Sequence, residues 1–228
     1  MFNLNAKGPG AIPVGTNPIS LVTVRGSSKR RKQPRNLTVE EFQRLSVHLG
    51  EPFKGMALVQ VCLGLRFSEL LALRWKDVDW IGGKVNVEHG IVNQHLDPVK
   101  TEESRKAMTL DRRLLSVLSG WRQRSEFRGA DDWMFPSPLK LGRLPYSYTG
   151  YWRALQDASS AAGLGRLGTH SFRHTYRSWL DAVGTALTVQ QRLMRHSDIQ
   201  TTLNIYGDVV TGEMQEASSK VASLALEN

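Results

Sequence analysis

Six side chains spread along this chain are of the types that cleaving a phosphodiester without a metal requires. In chain order they are Arg66, Lys100, His170, Arg173, His196 and Tyr206. A planar guanidinium offers paired N–H donors to phosphate oxygens, and each hydrogen bond to a charged group is worth about 1.5–3 kcal/mol. A phosphate under attack moves toward a five-coordinate state with added negative charge, so fixed cations favour the transition state over the ground state. Histidine and lysine hold or move protons, a contribution on the order of 10²–10⁴-fold. A tyrosine phenol can attack once nearby cations and a proton acceptor help it ionise from a pKa of about 10. No member of the set is informative alone, because a single arginine is most often a surface or ion-pair residue. The ordered set is informative.

The local contexts sharpen these roles. Arg66 lies in Gly64-Leu65-Arg66-Phe67-Ser68-Glu69-Leu70, where Glu69 reads as an ion-pair or capping residue and not as a catalyst. His170 and Arg173 are three apart and so share a helix face. Thr169 or Ser171 is expected to cap that helix, whose N-terminal end itself favours an anion. His170 is the expected acid/base, and His196, just before Ser197-Asp198 at a helix start, the expected hydrogen-bond donor to a phosphate oxygen. His174, four residues after His170, has a spacing that zinc sites use, but no Glu follows His170 and no third ligand is evident, so no metal site is expected. Lys100 has Arg105 and Lys106 nearby, and Lys106 stays open as an alternative general acid. Tyr146, Tyr148 and Tyr151 read as packing or DNA-surface residues, which leaves Tyr176, three past Arg173, as the rival to Tyr206.

The elements that must position these groups are mostly helical. Thr38-Val39-Glu40-Glu41 has the form of a capping box, with Leu37 and Phe42 placed as a hydrophobic staple across it. Phe42, Leu45 and Leu49 mark one apolar face of the helix that follows. A second helix from about Pro52 is apolar nearly all round, predicting a central position, and Gly64 would end it with Arg66 at the turn into a short third helix. Between Lys84 and Leu110 short stretches such as Val85-Asn86-Val87 and Ala107-Met108-Thr109-Leu110 predict a small antiparallel sheet with Lys100 on a hairpin. Helix returns after Asp111, a Pro- and Gly-rich break covers about 129–145, and further helices are expected at about 147–162, 170–183, 187–195, 198–205 and 211–225. The expected fold class is mostly α with a small antiparallel β-sheet (α+β).

Composition narrows the partners. Net charge is +9, from 30 Lys+Arg against 21 Asp+Glu. Arg25, Lys29, Arg30, Arg31, Lys32 and Arg35 carry most of that excess, since without these six the balance would be 24 against 21. The run is a solvated linker or a strap along phosphates, whose binding would be salt-dependent. No apolar run approaches the roughly 20 residues needed to cross a bilayer. With no signal-peptide pattern and only Cys62, a reducing cytosol is the expected compartment. Other motifs carry little. Gly163-Leu164-Gly165-Arg166-Leu167-Gly168 matches a dinucleotide fingerprint but follows a helical stretch where a strand is needed. Asp77/Asp79 and Asp131/Asp132 read as turn residues before they read as a two-metal nuclease.

Three longer segments resemble the tyrosine recombinase (phage integrase) family. Residues 62–75 look like its segment around the first arginine, Thr169-His170-Ser171-Phe172-Arg173-His174-Thr175 like its His-x-x-Arg box, and residues 194–202 like its second histidine segment. Tyr206 then falls at the nucleophile's usual distance, and the likeness runs from about Asn17-Pro18 to the C-terminus. The resemblance implies the family's catalytic-domain fold and metal-free DNA strand cleavage and rejoining through a 3′-phosphotyrosyl intermediate on Tyr206. It implies no cofactor, with Lys100 as the hairpin lysine that protonates the departing 5′ oxygen. The implied partners are double-stranded DNA and copies of the chain itself, a tetramer on DNA and a monomer when free. It also suggests a division into a basic lead-in or linker (1–35), a catalytic domain (36–206) and a tail helix (207–228) that docks on a neighbouring protomer. Asn17-Pro18 resembles the interdomain linker, so the N-terminal core-binding domain is expected to be absent and DNA binding weak and salt-sensitive. A regulatory remnant that binds DNA without cleaving it, or a metal-dependent nuclease, are the alternative readings.

Overall fold

In the computed structural model the residues described are 35–92, 95–98, 107–195 and 212–226. The first helix, α1 (Val39–His48), starts where its sequence says it should. Thr38 Oγ1 accepts from the Glu41 backbone N–H at 3.2 Å, and the Glu41 carboxylate accepts from the Thr38 N–H at 3.0 Å. Such a reciprocal cap satisfies two otherwise orphaned donors, and losing a cap typically costs ~1 kcal/mol. The inward face of α1 sets Phe42 edge-on to Phe172 and Trp179.

The organising element is α2 (Phe53–Leu63), in which every residue from Gly55 to Leu63 is buried. A helix apolar on all sides cannot lie at a surface, and α2 accordingly packs against five other helices. It ends at Gly64, which adopts φ 60°. A Cβ at that position would run into the Tyr176 ring, so both the left-handed backbone and the close approach require glycine. The chain then turns into α3 (Phe67–Ala72) with Arg66 as its N-cap.

The small sheet expected between Lys84 and Leu110 is present as two pieces. Strands β1 (Val78–Asp79), β2 (Lys84–Val85) and β5 (Met108–Thr109) form one antiparallel sheet in the order β1-β2-β5, with Val78 opposite Val85 and Val85 opposite Met108. The hairpin β3 (His89–Val92) and β4 (His95–Pro98) stands apart from it and lies against α3. Asn86 extends the first pairing in the same register, its N–H donating to the Asp77 carbonyl at 2.9 Å.

The remaining helices are α4 (Arg112–Arg124), α5 (Tyr148–Ala161), α6 (Ser171–Ala182), α7 (Leu187–Met194) and α8 (Gly212–Leu226). Asp111 and Ser147 cap α4 and α5 through their side chains. Between them, Trp121 and Trp133 donate their indole N–H groups to the carbonyls of Met134 and Arg143, which fixes an irregular segment with no long helix or strand. Helix α8 lies against α1, α2, α4, α6 and α7 of its own chain, with Ala217, Val221 and Ala222 buried. All described residues belong to one unit, Pro34–Asn228. Among them no helix is long and apolar enough to cross a membrane.

Candidate active site

Arg66 and Arg173 meet at the end of α2. Arg66 has an extended backbone, and its N–H donates to Glu69 Oε2 at 2.8 Å while its Nη1 donates to Glu69 Oε1 at 2.9 Å. The Arg66 side chain stays 39% exposed. Arg173 lies in the first turn of α6 and is only 7% exposed. Its two terminal nitrogens donate to the carbonyls of Gly64 and Met194, tying the ends of α2 and α7 to α6. A guanidinium has five N–H donors, so these two bonds do not exhaust it. Burial, then repulsion from Arg66, pulls the Arg173 pKa down to about 10, which leaves it charged at neutral pH.

Behind the pair stands a buried carboxylate. Glu69 accepts from Arg66 on one side and from Arg195 Nη2 on the other, at 2.5 Å, with the Arg195 side chain 2% exposed. Burial acts to raise the Glu69 pKa, but the charge of Arg195 and the hydrogen bonds and charge of Arg66 outweigh it and hold the carboxyl below its ordinary range. The expectation that Glu69 is an ion-pair and capping residue therefore matches its contacts. The part played by Arg195 was not visible in the sequence.

His170 is exposed and occupies the N-cap of α6, in the next turn before Arg173. The expected cap is not made by either neighbour. Ser171 Oγ turns back to accept from the Gly168 N–H at 3.2 Å, and the N-cap itself makes no side-chain hydrogen bond. Thr169 is buried instead, and its carbonyl accepts from Gln60 Nε2 at 3.4 Å. Gln60 also reaches the Leu65 carbonyl at 3.5 Å and accepts from the Tyr151 hydroxyl at 3.1 Å. One buried amide thus links the segment before Arg66 to the segment before His170. The apolar pattern of α2 hid it.

The structure separates the competing tyrosines. Tyr176 is fully buried beneath Gly64, out of reach of a phosphate, and burial pushes its phenol pKa up, which opposes ionisation. Tyr151 is also buried, stacked on Phe67. Tyr148 is 52% exposed and edge-on to Phe67, and Tyr146 is partly buried against Phe53. Tyr206, Lys100, Lys106, His196, Arg25, Lys29, Arg30, Arg31 and Lys32 lie outside the described residues. Arg35 is described and donates to Glu41 at 2.8 Å.

The other motifs take the simpler reading. Asp79 accepts from the N–H groups of Ile81 and Gly82, Asp77 from that of Arg74, and Asp132 from that of Gly129. Asp131 pairs with Lys76 at 2.6 Å. Gly163 and Gly165 are left-handed turn residues that follow α5 and not a strand. Cys62 is buried, and its thiol is pushed up to about 12.

A helical domain with two short sheets, two arginines at the end of its central helix and a histidine one turn away is the arrangement to set against known proteins. Residues 35–212 match the phage integrase family. The chain belongs to that family. It is 24% identical over 210 residues to the ICEBs1 integrase of Bacillus subtilis, a match covering 85% of this chain and 56% of that protein. It is 31% identical over 164 residues to tyrosine recombinase XerD of Agrobacterium fabrum, covering 67% of this chain and 47% of that protein. The chain thus spans about half the length of these relatives. The Tn1549 transposon integrase, solved in complex with a circular intermediate DNA, shares the fold at a TM-score of 0.63 and 21% identity, covering 83% of this chain and 66% of that one.

Proposed function

We propose that the chain is the catalytic domain of a site-specific DNA strand transferase of the tyrosine recombinase type. The observation that carries the reading is the convergence of Arg66 and Arg173 at the end of α2, with His170 exposed beside them, in a chain of this family. Two fixed guanidinium groups favour an anion that gains charge during reaction. In the proposed reaction the Tyr206 oxygen attacks the scissile phosphorus and its proton passes to His170. The P–O5′ bond breaks, Lys100 protonates the departing 5′ oxygen, and His196 donates a hydrogen bond to a phosphate oxygen. The 3′-phosphotyrosyl link retains the phosphodiester's energy, and a 5′ hydroxyl from a partner duplex reverses the step on a new strand. Neither ATP nor metal enters this balance.

The partner is double-stranded DNA, and Arg25, Lys29, Arg30, Arg31, Lys32 and Arg35 form a strap along its phosphates. The working unit is a tetramer on two DNA segments, assembled from monomers that act in the cytoplasm on the nucleoid. Residues 36–206 form the catalytic domain, and 207–228 form the tail, whose helix α8 packs on its own chain here and would dock on a neighbouring protomer in the tetramer. The test is a DNA duplex nicked just beyond the scissile phosphate, so that the released fragment escapes and the covalent product accumulates. Protein–DNA product in the presence of EDTA is expected. Cleavage that appears only on adding a divalent cation would support a nuclease instead.

A further inference from the structure

Arg195 ends α7 with φ 51° and ψ 45°, a left-handed conformation that is strained for a side-chain-bearing residue and free for glycine. Arginine therefore sits there against backbone preference, and its side chain runs inward, 2% exposed, to a buried carboxylate. A charged side chain is rarely buried without a specific partner. The partner is Glu69, which also holds the backbone and side chain of Arg66.

We infer that Arg195 is a positioning residue for the phosphate clamp: it shares the Glu69 carboxylate with Arg66 and so leaves the Arg66 charge available to phosphate. The inference rests on the strand-transferase reading. With Arg195 in place, one buried negative charge faces two guanidinium groups, and the carboxylate is held between them. Without Arg195, Arg66 is the guanidinium that stays hydrogen-bonded to Glu69 among the described residues, with Arg173 close enough to feel the same charge. The carboxylate then draws the Arg66 guanidinium inward and neutralises it. The same link joins the end of α7, the residue directly before His196, to the start of α3. The Met194 carbonyl is already held by Arg173. The two bonds fix the end of α7 from two sides and set it against both arginines of the clamp. Because Arg195 is buried, it acts through Glu69 and does not itself touch phosphate.

The rate of covalent product formation on the nicked duplex, measured under single-turnover conditions at saturating DNA, tests this with four proteins. Arg195→Gly suits the left-handed backbone and removes the whole buried side chain, guanidinium included. It is expected to lower the rate by ~10²-fold, the cost of a misplaced reacting group, while DNA affinity stays within about twofold. Arg195→Lys keeps the charge and is expected to recover most of the rate. The double variant Arg195→Gly/Glu69→Gln is expected to be faster than Arg195→Gly alone, because a neutral amide still accepts from the Arg66 N–H but no longer draws off its charge. Residue 195 acting only in packing would leave the double variant as slow as the single one or slower. Active wild-type protein with an unchanged rate in Arg195→Gly, or no recovery in the double variant, overturns the inference alone. No covalent product from the wild-type chain overturns the strand-transferase reading, and the inference with it.

Discussion

At the start of α3 the Arg66 side chain is 39% exposed and tied to a carboxylate, whereas in the first turn of α6 Arg173 is buried and its guanidinium tied to two backbone carbonyls. The same chemical group is thus held by two different strategies. Carbonyl dipoles, with no carboxylate bonded directly among the described residues, fix Arg173, and desolvation followed by repulsion from Arg66 outweighs the pull of the Glu69 charge and lowers the Arg173 pKa. Glu69 fixes Arg66 and offsets part of its charge. The outcome is one cation built into the fold and one adjustable cation on a leash, and removing each should have different consequences.

Glu69→Gln strikes the leash at its root, because it leaves the buried Arg195 charge without its carboxylate. Removing one partner of a buried ion pair typically costs about 3–5 kcal/mol, and urea unfolding is expected to show a loss of that order. The two arginines then divide cleanly. Arg173→Ala and Arg66→Ala are each expected to slow strand cleavage by about 10²–10³-fold, as losing a fixed donor to a developing charge does. Only Arg173→Ala should also lower the melting temperature substantially, since it alone unties α2 and α7 from α6. Equal loss of stability in both variants would break the comparison.

Smaller effects sharpen it. Gly64→Ala puts a Cβ into the Tyr176 ring in a left-handed backbone and is expected to cost about 1–3 kcal/mol. It should also slow cleavage, because the Gly64 carbonyl is one of the two that hold Arg173. The Glu69 contribution also depends on pH. The folded-state pKa of Glu69 is lowered, so its contribution to stability is present above the unfolded value of about 4.3 and is lost as pH falls through the lower folded value. Melting curves of wild type and Glu69→Gln should therefore converge only as the pH falls below the ordinary carboxylate range and through the lowered folded value.

Much of this arrangement was legible in the sequence because local chemistry dictates it. The Thr38–Glu41 box, the end of α2 at Gly64 and the placement of Arg66 at a helix start all follow from residues within a few positions of one another. Pairings across the chain were not legible. Nothing near Arg195 says that its side chain finds Glu69, which is 126 residues away, and nothing near Gln60 says that it meets Thr169 and Tyr151. Tyr176 looked like a competing nucleophile in sequence because spacing from Arg173 carries no information about burial. The capping of α6 failed as an expectation for a related reason: with Thr169 drawn into the core by Gln60, Ser171 turns back to Gly168 and His170 is left at the helix start.

The most direct measurement is to digest the covalent product made from the nicked duplex with protease and nuclease and to identify by mass spectrometry the peptide that retains a nucleotide. The account predicts the modification on Tyr206, with no covalent product from Tyr206→Phe and DNA affinity almost unchanged. A nucleotide on any other residue, or product that survives Tyr206→Phe, would contradict it.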